Sequence, residues 1–173
     1  MKNLSTRAGF GLAATVCTGL LAFAYYLQYV QHLEPCPLCY VQRWFFYAML
    51  AIFLIATIHG RGALIYGCLA TLFAAGGLAA ASRQVWLQHL PADKVPQCGP
   101  DLIFMLKNFP LGETLGNLVQ GSGECAKVDW TFLGLSIAEW SLAWFVVLAA
   151  YALWLGLRRS NSSPASTAAA ASR

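Results

Sequence analysis

The residues of this chain best suited to chemistry are two closely spaced cysteines and a nearby arginine. Cys36 and Cys39 form a C-x-x-C motif, and Arg43 follows Cys39 by four residues. Two intervening residues allow the sulfurs to bond to each other, and this spacing is typical of redox-active dithiols. If a helix begins here, Cys39 lies in its first turn, where free N–H groups and the positive end of the helix dipole stabilise a thiolate. The pattern therefore predicts a redox-active thiol pair.

Arg43 would lie one helical turn deeper, on the same face as Cys39. An arginine does not lose its proton in a protein, so it is a fixed positive charge beside that sulfur. Inside a membrane such a charge is costly unless it is paired or functional. A snorkelling anchor at the membrane interface is the alternative role. The C-x-x-C motif upstream favours the functional role.

The other four of the six cysteines differ in their surroundings. Cys17 and Cys68 lie in apolar runs, where a free cysteine behaves as a small hydrophobic residue. Cys98 and Cys125 lie in a long polar segment. A disulfide between them would stabilise the fold by roughly 3–4 kcal/mol in the chain-entropy model. It would act either as a structural staple or as an exchange partner for the C-x-x-C pair, and the residues alone leave both roles open.

A zinc site is the competing interpretation of the four cysteines outside the apolar runs, Cys36, Cys39, Cys98 and Cys125. Structural zinc sites usually take two close cysteine or histidine pairs, whereas Cys98 and Cys125 are far apart in the sequence. Only His32 and His89 lie on the same side of the predicted membrane as these cysteines. We therefore predict no metal.

The composition indicates an integral membrane protein. Hydrophobic residues make up 58% of the 173 residues and charged residues only 10%, whereas a soluble domain carries about 45–50% and about 25%. The mean hydropathy is +0.58. The net charge of +4 arises from scattered Lys and Arg that form no patch. These values exclude a disordered protein, a nucleic-acid-binding domain and an ordinary cytosolic enzyme.

Four apolar runs predict an all-α membrane protein with a four-helix transmembrane bundle, its spans at about 8–30, 41–58, 62–82 and 137–157. A helix needs about 20 residues, with a range of about 17–25, to cross the hydrocarbon. The uncharged part of the second run, Trp44–Ile58, has only 15 residues. It can cross the membrane only if the helix starts near Tyr40 and Arg43 snorkels to the interface. Residues 22–24, Ala-Phe-Ala, mimic a signal-peptide cleavage site. The apolar run continues to Val30, however, and is longer than the 7–15 residues of a signal core.

The basic residues predict that both termini lie in the cytoplasm. In this orientation Lys and Arg are denser in the inner segments than in the outer ones, as is typical of membrane proteins. The spans then form a single domain, residues 1–160, with a disordered cytoplasmic tail at 161–173. Of the two outer loops, the second is long. Apolar residues at 102–106 and at helical spacing over 111–119 predict short amphipathic helices on the membrane surface within it. A loop packed on the bundle is the alternative.

Three features of the chain match one known family of membrane proteins. Residues 34–43 read Glu-Pro-Cys-Pro-Leu-Cys-Tyr-Val-Gln-Arg, a second cysteine pair follows, and residues 129–135 read Asp-Trp-Thr-Phe-Leu-Gly-Leu before the last span. Together they resemble the disulfide bond formation protein B (DsbB) family. A lone C-x-x-C would not be specific, whereas C-x-x-C-x-x-x-R in a four-span protein is. The resemblance covers nearly the whole chain except the tail.

This resemblance implies a protein-dithiol:quinone oxidoreductase of the bacterial inner membrane, with cytoplasmic termini and periplasmic cysteine loops. It would re-oxidise a soluble periplasmic thioredoxin-like dithiol oxidase of the DsbA type and pass the electrons to ubiquinone or menaquinone, sustaining protein disulfide formation. The resting oxidised state would hold the disulfides Cys36–Cys39 and Cys98–Cys125. The partner's thiolate would attack Cys98, the released Cys125 would attack Cys36, and Cys39 would leave as a thiolate towards the quinone.

Two further residues take roles at the quinone under the same resemblance. Arg43 would stabilise both the Cys39 thiolate and the negative charge that develops on the quinone. His89 would hydrogen-bond the quinone or shuttle a proton, with an interfacial histidine in water as the alternative.

Two other protein classes remain as alternatives. A four-span scaffold of the tetraspanin type also has a short first and a long second outer loop, but its cysteines are structural and lie in the long loop. A vitamin K epoxide reductase-like quinone reductase also carries a C-x-x-C, but at a different point in the helix order. The C-x-x-C at the start of the second span favours the DsbB family over both.

Overall fold

Four long helices dominate the computed structural model, which describes residues 2–91, 93–95, 110, 112, 116, 121 and 123–160. They are α1 (Lys2–Tyr29), α2 (Pro37–His59), α3 (Ala63–Gln88) and α4 (Ile137–Ser160). Each contains a segment long and apolar enough to cross a membrane. The predicted all-α four-helix membrane bundle is therefore confirmed. The predicted surface helices at 102–106 and 111–119, and the tail at 161–173, lie outside the described residues apart from isolated positions.

Helix α2 begins at the C-x-x-C motif itself. Cys36 is its N-cap, in an extended conformation, and Pro37 is the first helical residue. Proline suits this position because its missing N–H would have no partner in the helix and its φ is already helical. At the other end Gly60, in the left-handed conformation with φ 66°, donates its N–H to Ala56 O. The helix thus starts four residues before the predicted residue 41, and its 23 residues are enough to span the bilayer.

Helix α3 corrects one predicted boundary. The span was expected to end at residue 82, but the helix continues to Gln88. The polar pair Arg83 and Gln84 ends the apolar run without ending the helix, because Arg and Gln are good helix formers. The Arg83 guanidinium lies 4.3 Å from the centre of the Trp86 ring, and Gln84 is buried against other polar groups.

A small antiparallel hairpin precedes α4, pairing Thr131–Phe132 with Leu135–Ser136. Its two turn residues, Leu133 and Gly134, both have positive φ (54° and 82°), as a tight turn matching the strand twist requires. The hairpin was not predicted. It turns the segment 129–135 back on itself immediately before the last span.

Helix α4 begins with a capping box formed by Ser136 and Glu139. Ser136 Oγ accepts the Glu139 N–H at 3.3 Å, and Glu139 Oε2 accepts the Ser136 N–H at 2.7 Å. Two backbone donors at the start of the helix are thereby satisfied. Ser136 Oγ also donates to Gln88 Oε1 at 2.8 Å, which ties the start of α4 to the end of α3.

Close helix contacts hold the bundle together. Helix α3 packs over its length on α4, α2 lies between α1 and α3, and α1 and α4 meet over a smaller surface. A Cβ at Gly67 would lie 2.7 Å from Ala152 O, so only glycine permits this approach of α3 to α4. In the core, the rings of Phe46 and Phe145 stack with centroids 4.2 Å apart. Cys17 is fully buried in this core.

Candidate active site

Three of the four predicted catalytic cysteines lie together at one end of the bundle. The Sγ atoms of Cys36 and Cys39 are 2.9 Å apart, whereas a disulfide bond measures about 2.05 Å, so this structure holds the pair as thiols. Cys125 lies in a 3₁₀ turn (Gly123–Ala126), is fully buried, and hydrogen-bonds to Cys36. Cys98 lies outside the described residues. Both predicted disulfides therefore stay predictions.

Local packing brings Cys125 to this position. Its side chain is buried with Leu38 of α2 and Leu87 of α3, and Cys36 packs against the same cluster. Leu38 stands between the two motif cysteines, so the apolar contact that anchors the 3₁₀ turn also places Cys125 beside Cys36. The long segment after α3 is thus held on the C-x-x-C motif at this point.

The charge state of Cys36 is set by its neighbours. Its hydrogen bond to Cys125, its hydrogen bond to Cys39 and its burial, in that order of size, raise the pKa of the Cys36 thiol above its usual value. Cys36 therefore keeps its proton at neutral pH. Only a thiolate is a good nucleophile. Because Cys36 stays protonated, a thiolate in this cluster forms on another sulfur.

Two buried glutamines that sequence reasoning missed complete the cluster. Gln84 Nε2 lies 3.3 Å from both Cys36 Sγ and Cys39 Sγ, and Gln42 Nε2 donates to Gln84 Oε1 at 2.6 Å. Both side chains are 4% exposed. The available signal was a polar residue in each of two membrane helices, since such residues usually have a function. Gln84 was overlooked because it follows the apolar run of the third span.

Arg43 is half-buried and is surrounded by neutral groups. Its Nη1 donates to Gln28 Oε1 at 2.5 Å and its Nη2 to Ala24 O at 3.1 Å. Its guanidinium carbon lies 5.0 Å from the centre of the Tyr25 ring and 5.7 Å from that of Tyr40. Among the described residues no carboxylate forms an ion pair with it. Its positive charge is therefore held in place without being neutralised.

A cavity of about 530 Å³ opens beside the sulfurs and is lined by Cys36, Cys39 and Arg43. Most of its wall is apolar and comes from α1, α2, α4 and the hairpin segment; it includes Leu27, Phe46, Trp130, Trp140 and Trp144. The volume and lining are typical of small-molecule sites. The cavity thus has an apolar body with two thiols and several charged side chains on its wall, which are Arg43, Lys127, Glu34, Glu124 and Asp129.

His89 is not brought to this cavity. It caps the end of α3, is exposed, and its Nδ1 lies 2.8 Å from Val85 O. Its predicted contact with a quinone stays a prediction. Cys17 and Cys68, which were expected to be structural, do not line the cavity either. In the part of the chain that the structure describes, no group of three His, Cys, Asp or Glu residues could hold a metal ion.

Comparison with known proteins identifies the family. The sequence model described as "Disulfide bond formation protein DsbB" matches residues 6–155. The chain belongs to the DsbB family. Relatives named Disulfide bond formation protein B include those of Marinobacter nauticus (46% identical; 90% of this chain and 95% of the relative covered) and Methylococcus capsulatus (49% identical; 86% and 93%). Another, from Saccharophagus degradans, is 50% identical over 83% of this chain and 89% of the relative.

Membership of the DsbB family confirms the resemblance and decides between the three classes considered from the sequence. The protein is a multi-pass membrane protein of disulfide bond formation, with an oxidoreductase role. The tetraspanin-type scaffold and the vitamin K epoxide reductase-like alternatives are excluded. The match covers α2, α3, most of α1 and α4, and every cysteine of the chain.

Proposed function

We propose that this protein is a dithiol:quinone oxidoreductase that re-oxidises a periplasmic dithiol oxidase of the DsbA type and passes the electrons to ubiquinone or menaquinone. One observation carries the proposal. Cys125, from the long loop, touches Cys36, which touches Cys39, and Cys39 lines an apolar cavity that also contains Arg43. The contacts form a path from the loop that would meet a soluble partner to a site that suits a lipid-soluble acceptor.

The exchange steps each break one disulfide and form one. The partner's thiolate attacks Cys98, forms a mixed disulfide and releases Cys125 as a thiolate. Cys125 attacks Cys36, forms the Cys36–Cys125 bond and releases Cys39 as a thiolate. The partner's second thiol then releases Cys98, which bonds again to Cys125 and leaves Cys36 and Cys39 reduced. Cys36 suits the role of the attacked sulfur because it already contacts Cys125, the nucleophile in this step.

The cavity residues suit the final oxidation of the Cys36–Cys39 pair. A bound quinone supplies the chemistry of accepting two electrons and two protons. Apolar side chains such as Phe46 and Trp144 would hold a flat ring and exclude water, and Arg43 would attract negative charge on it. Because Arg43 is held by neutral oxygens and ring faces, its charge remains available to an anion at the cavity wall.

We further propose that the protein lies in the bacterial inner membrane with both termini cytoplasmic and the sulfur end of the bundle periplasmic. The density of basic residues supports this orientation. Labelling intact cells with a membrane-impermeant thiol reagent after reduction should modify Cys36 or Cys98 without permeabilisation. Labelling that needs permeabilisation would reverse the orientation.

Quinone reduction by the purified protein tests the proposed activity. With a reduced DsbA-type protein as donor, we expect one quinone reduced for each dithiol oxidised, and no turnover in Cys39→Ser. Cys68→Ala is the matched control, since Cys68 faces outward from the bundle, and it should retain turnover. An active Cys39→Ser protein would refute the proposal.

A further inference from the structure

Beyond the cysteines and Arg43, we propose that Gln84 is a further catalytic residue, whose side-chain amide, oriented by Gln42, donates hydrogen bonds to Cys36 and Cys39 and stabilises the thiolate released on Cys39. The inference rests on the proposed relay, because it names the group that receives the leaving sulfur. It assigns a role to a buried polar pair that neither the C-x-x-C motif nor the helix spans explain.

The orientation of the Gln84 amide follows from its neighbour. Gln42 Nε2 donates to Gln84 Oε1 at 2.6 Å, so the oxygen end of the Gln84 amide is occupied. Exchanging its oxygen and nitrogen would set two N–H₂ groups against each other. With Gln42 donating in this way, the Gln84 N–H₂ group faces the sulfurs, at 3.3 Å from each.

The amide suits both protonation states of Cys39. As a thiol, Cys39 can donate to Gln84 Oε1, which lies 3.6 Å from its Sγ. As a thiolate it has no proton to donate, and it then accepts from Gln84 Nε2. One side chain can therefore contact Cys39 both as the thiol of the reduced pair and as the thiolate released from the Cys36–Cys39 disulfide. Hydrogen bonds to a charged acceptor are stronger than those to a neutral one, so the amide favours the charged state.

Arg43 does not supply these short contacts. Its donors are directed to Gln28 and Ala24, whereas Gln84 Nε2 is within hydrogen-bonding distance of both C-x-x-C sulfurs. The two residues thus divide the work: Gln84 contacts the sulfurs directly, and Arg43 provides positive charge at the cavity wall. The competing explanation of the Gln42–Gln84 pair is a structural hydrogen bond that only joins α2 to α3.

The test is the pH dependence of alkylation at Cys39 in the full-length reduced protein, read by mass spectrometry of the Cys39 peptide. Because the thiolate is the reactive form, the midpoint of this profile reports how readily the thiolate forms. Gln84→Leu should move the midpoint upward by about one pH unit, so that about tenfold less Cys39 reacts at neutral pH. Gln84→Met, which keeps the length of the side chain but not the amide, should move it upward by a similar amount. Gln42→Leu should give a smaller shift in the same direction.

Thr71→Val is the matched control, since it also removes a polar group from α3. Thr71 Oγ1 bonds to Gly67 O at 2.8 Å and to Ala149 O at 3.4 Å, away from the sulfurs, and the midpoint should not move. If Gln84→Leu does not fold, Gln84→Met, which keeps the side-chain length without the amide, carries the test alone. An unchanged midpoint in a folded Gln84 variant would overturn the inference. The Gln42–Gln84 hydrogen bond would then only join α2 to α3. The readout needs neither quinone nor partner, so failure of quinone reduction by the wild-type protein would refute the proposed function separately.

Discussion

Replacing Arg43 with methionine should weaken the use of quinone far more than the exchange with the soluble partner. Methionine fills a similar volume without the charge. An opposite charge within about 4–6 Å typically favours an ionised group by about 1–3 pKa units, which corresponds to roughly 10- to 1,000-fold. Since Arg43 lines the cavity and is not neutralised by a carboxylate among the described residues, we expect the apparent quinone KM of Arg43→Met to rise at least about tenfold.

The same substitution should also lower stability, which the assay must separate from catalysis. Arg43 donates to Gln28 and to Ala24 O, and losing a hydrogen bond from a charged group costs about 1.5–3 kcal/mol. Arg43→Lys retains the charge but loses the planar fork, so its KM should lie between those of wild type and Arg43→Met.

Steady-state kinetics with quinone varied, together with trapping of the mixed disulfide at Cys98, reads both ends of the relay. The matched control is Arg158→Met, which removes a cation that lies 5.0 Å from the Trp154 ring near the end of α4, away from the cavity. Trapping at Cys98 should be nearly unchanged in every variant. An unchanged quinone dependence in folded Arg43→Met would show that Arg43 is only an interfacial anchor.

Three other substitutions test separate parts of the account. Cys98→Ser should abolish oxidation of the soluble partner while quinone still oxidises the Cys36–Cys39 pair, measured by disulfide mapping; continued partner oxidation would contradict the relay. Cys125→Ala removes the largest cause of the raised Cys36 pKa, so alkylation of Cys36 in the reduced protein should reach its midpoint at lower pH; a profile that stays in place would show that Cys125 does not set it. Ser136→Ala should cost about 0.5–2 kcal/mol through loss of the α4 cap, seen as a lower melting temperature in detergent, whereas an unchanged melting temperature would show that the cap does not stabilise the helix.

The four spans could be predicted because a bilayer imposes a strong and local rule on sequence. Each span must be an apolar stretch of about 20 residues, and this is visible without any tertiary contact. The rule fails at the end of α3, where Arg83 and Gln84 are polar but remain helical. Inside the fold these two side chains contact the Trp86 ring and Gln42. Only Trp86 is near them in sequence.

The hairpin before α4 was beyond prediction for another reason. Its strands are two residues each, too short for an alternating pattern to be recognised. Its turn uses Leu133 at positive φ, a conformation that leucine seldom adopts. The surroundings that hold this turn include Trp140, whose Nε1 donates to Phe132 O at 3.0 Å.

At the site, Cys36, Cys39 and Arg43 could be proposed from spacing and Cys125 from its polar segment, whereas Gln84 and the contact of Cys125 with Cys36 could not. C-x-x-C-x-x-x-R is a local pattern, readable on one helix. Gln84 and Cys125 reach the same sulfurs from α3 and from the long loop, so their proximity depends on how the segments pack. That packing is set by Leu38 and Leu87, which the sequence presents as ordinary apolar residues.

The direct passage of a disulfide between Cys125 and Cys36 is the central claim, and rapid acid quenching during turnover tests it most directly. Reduced DsbA-type partner is added to the oxidised protein in quinone-containing vesicles, and disulfide-linked peptides are identified by mass spectrometry. The account predicts a Cys36–Cys125 peptide that rises after the partner is added and disappears when the partner is fully oxidised. Quinone reduction with only Cys36–Cys39 and Cys98–Cys125 peptides present at every time point would contradict it.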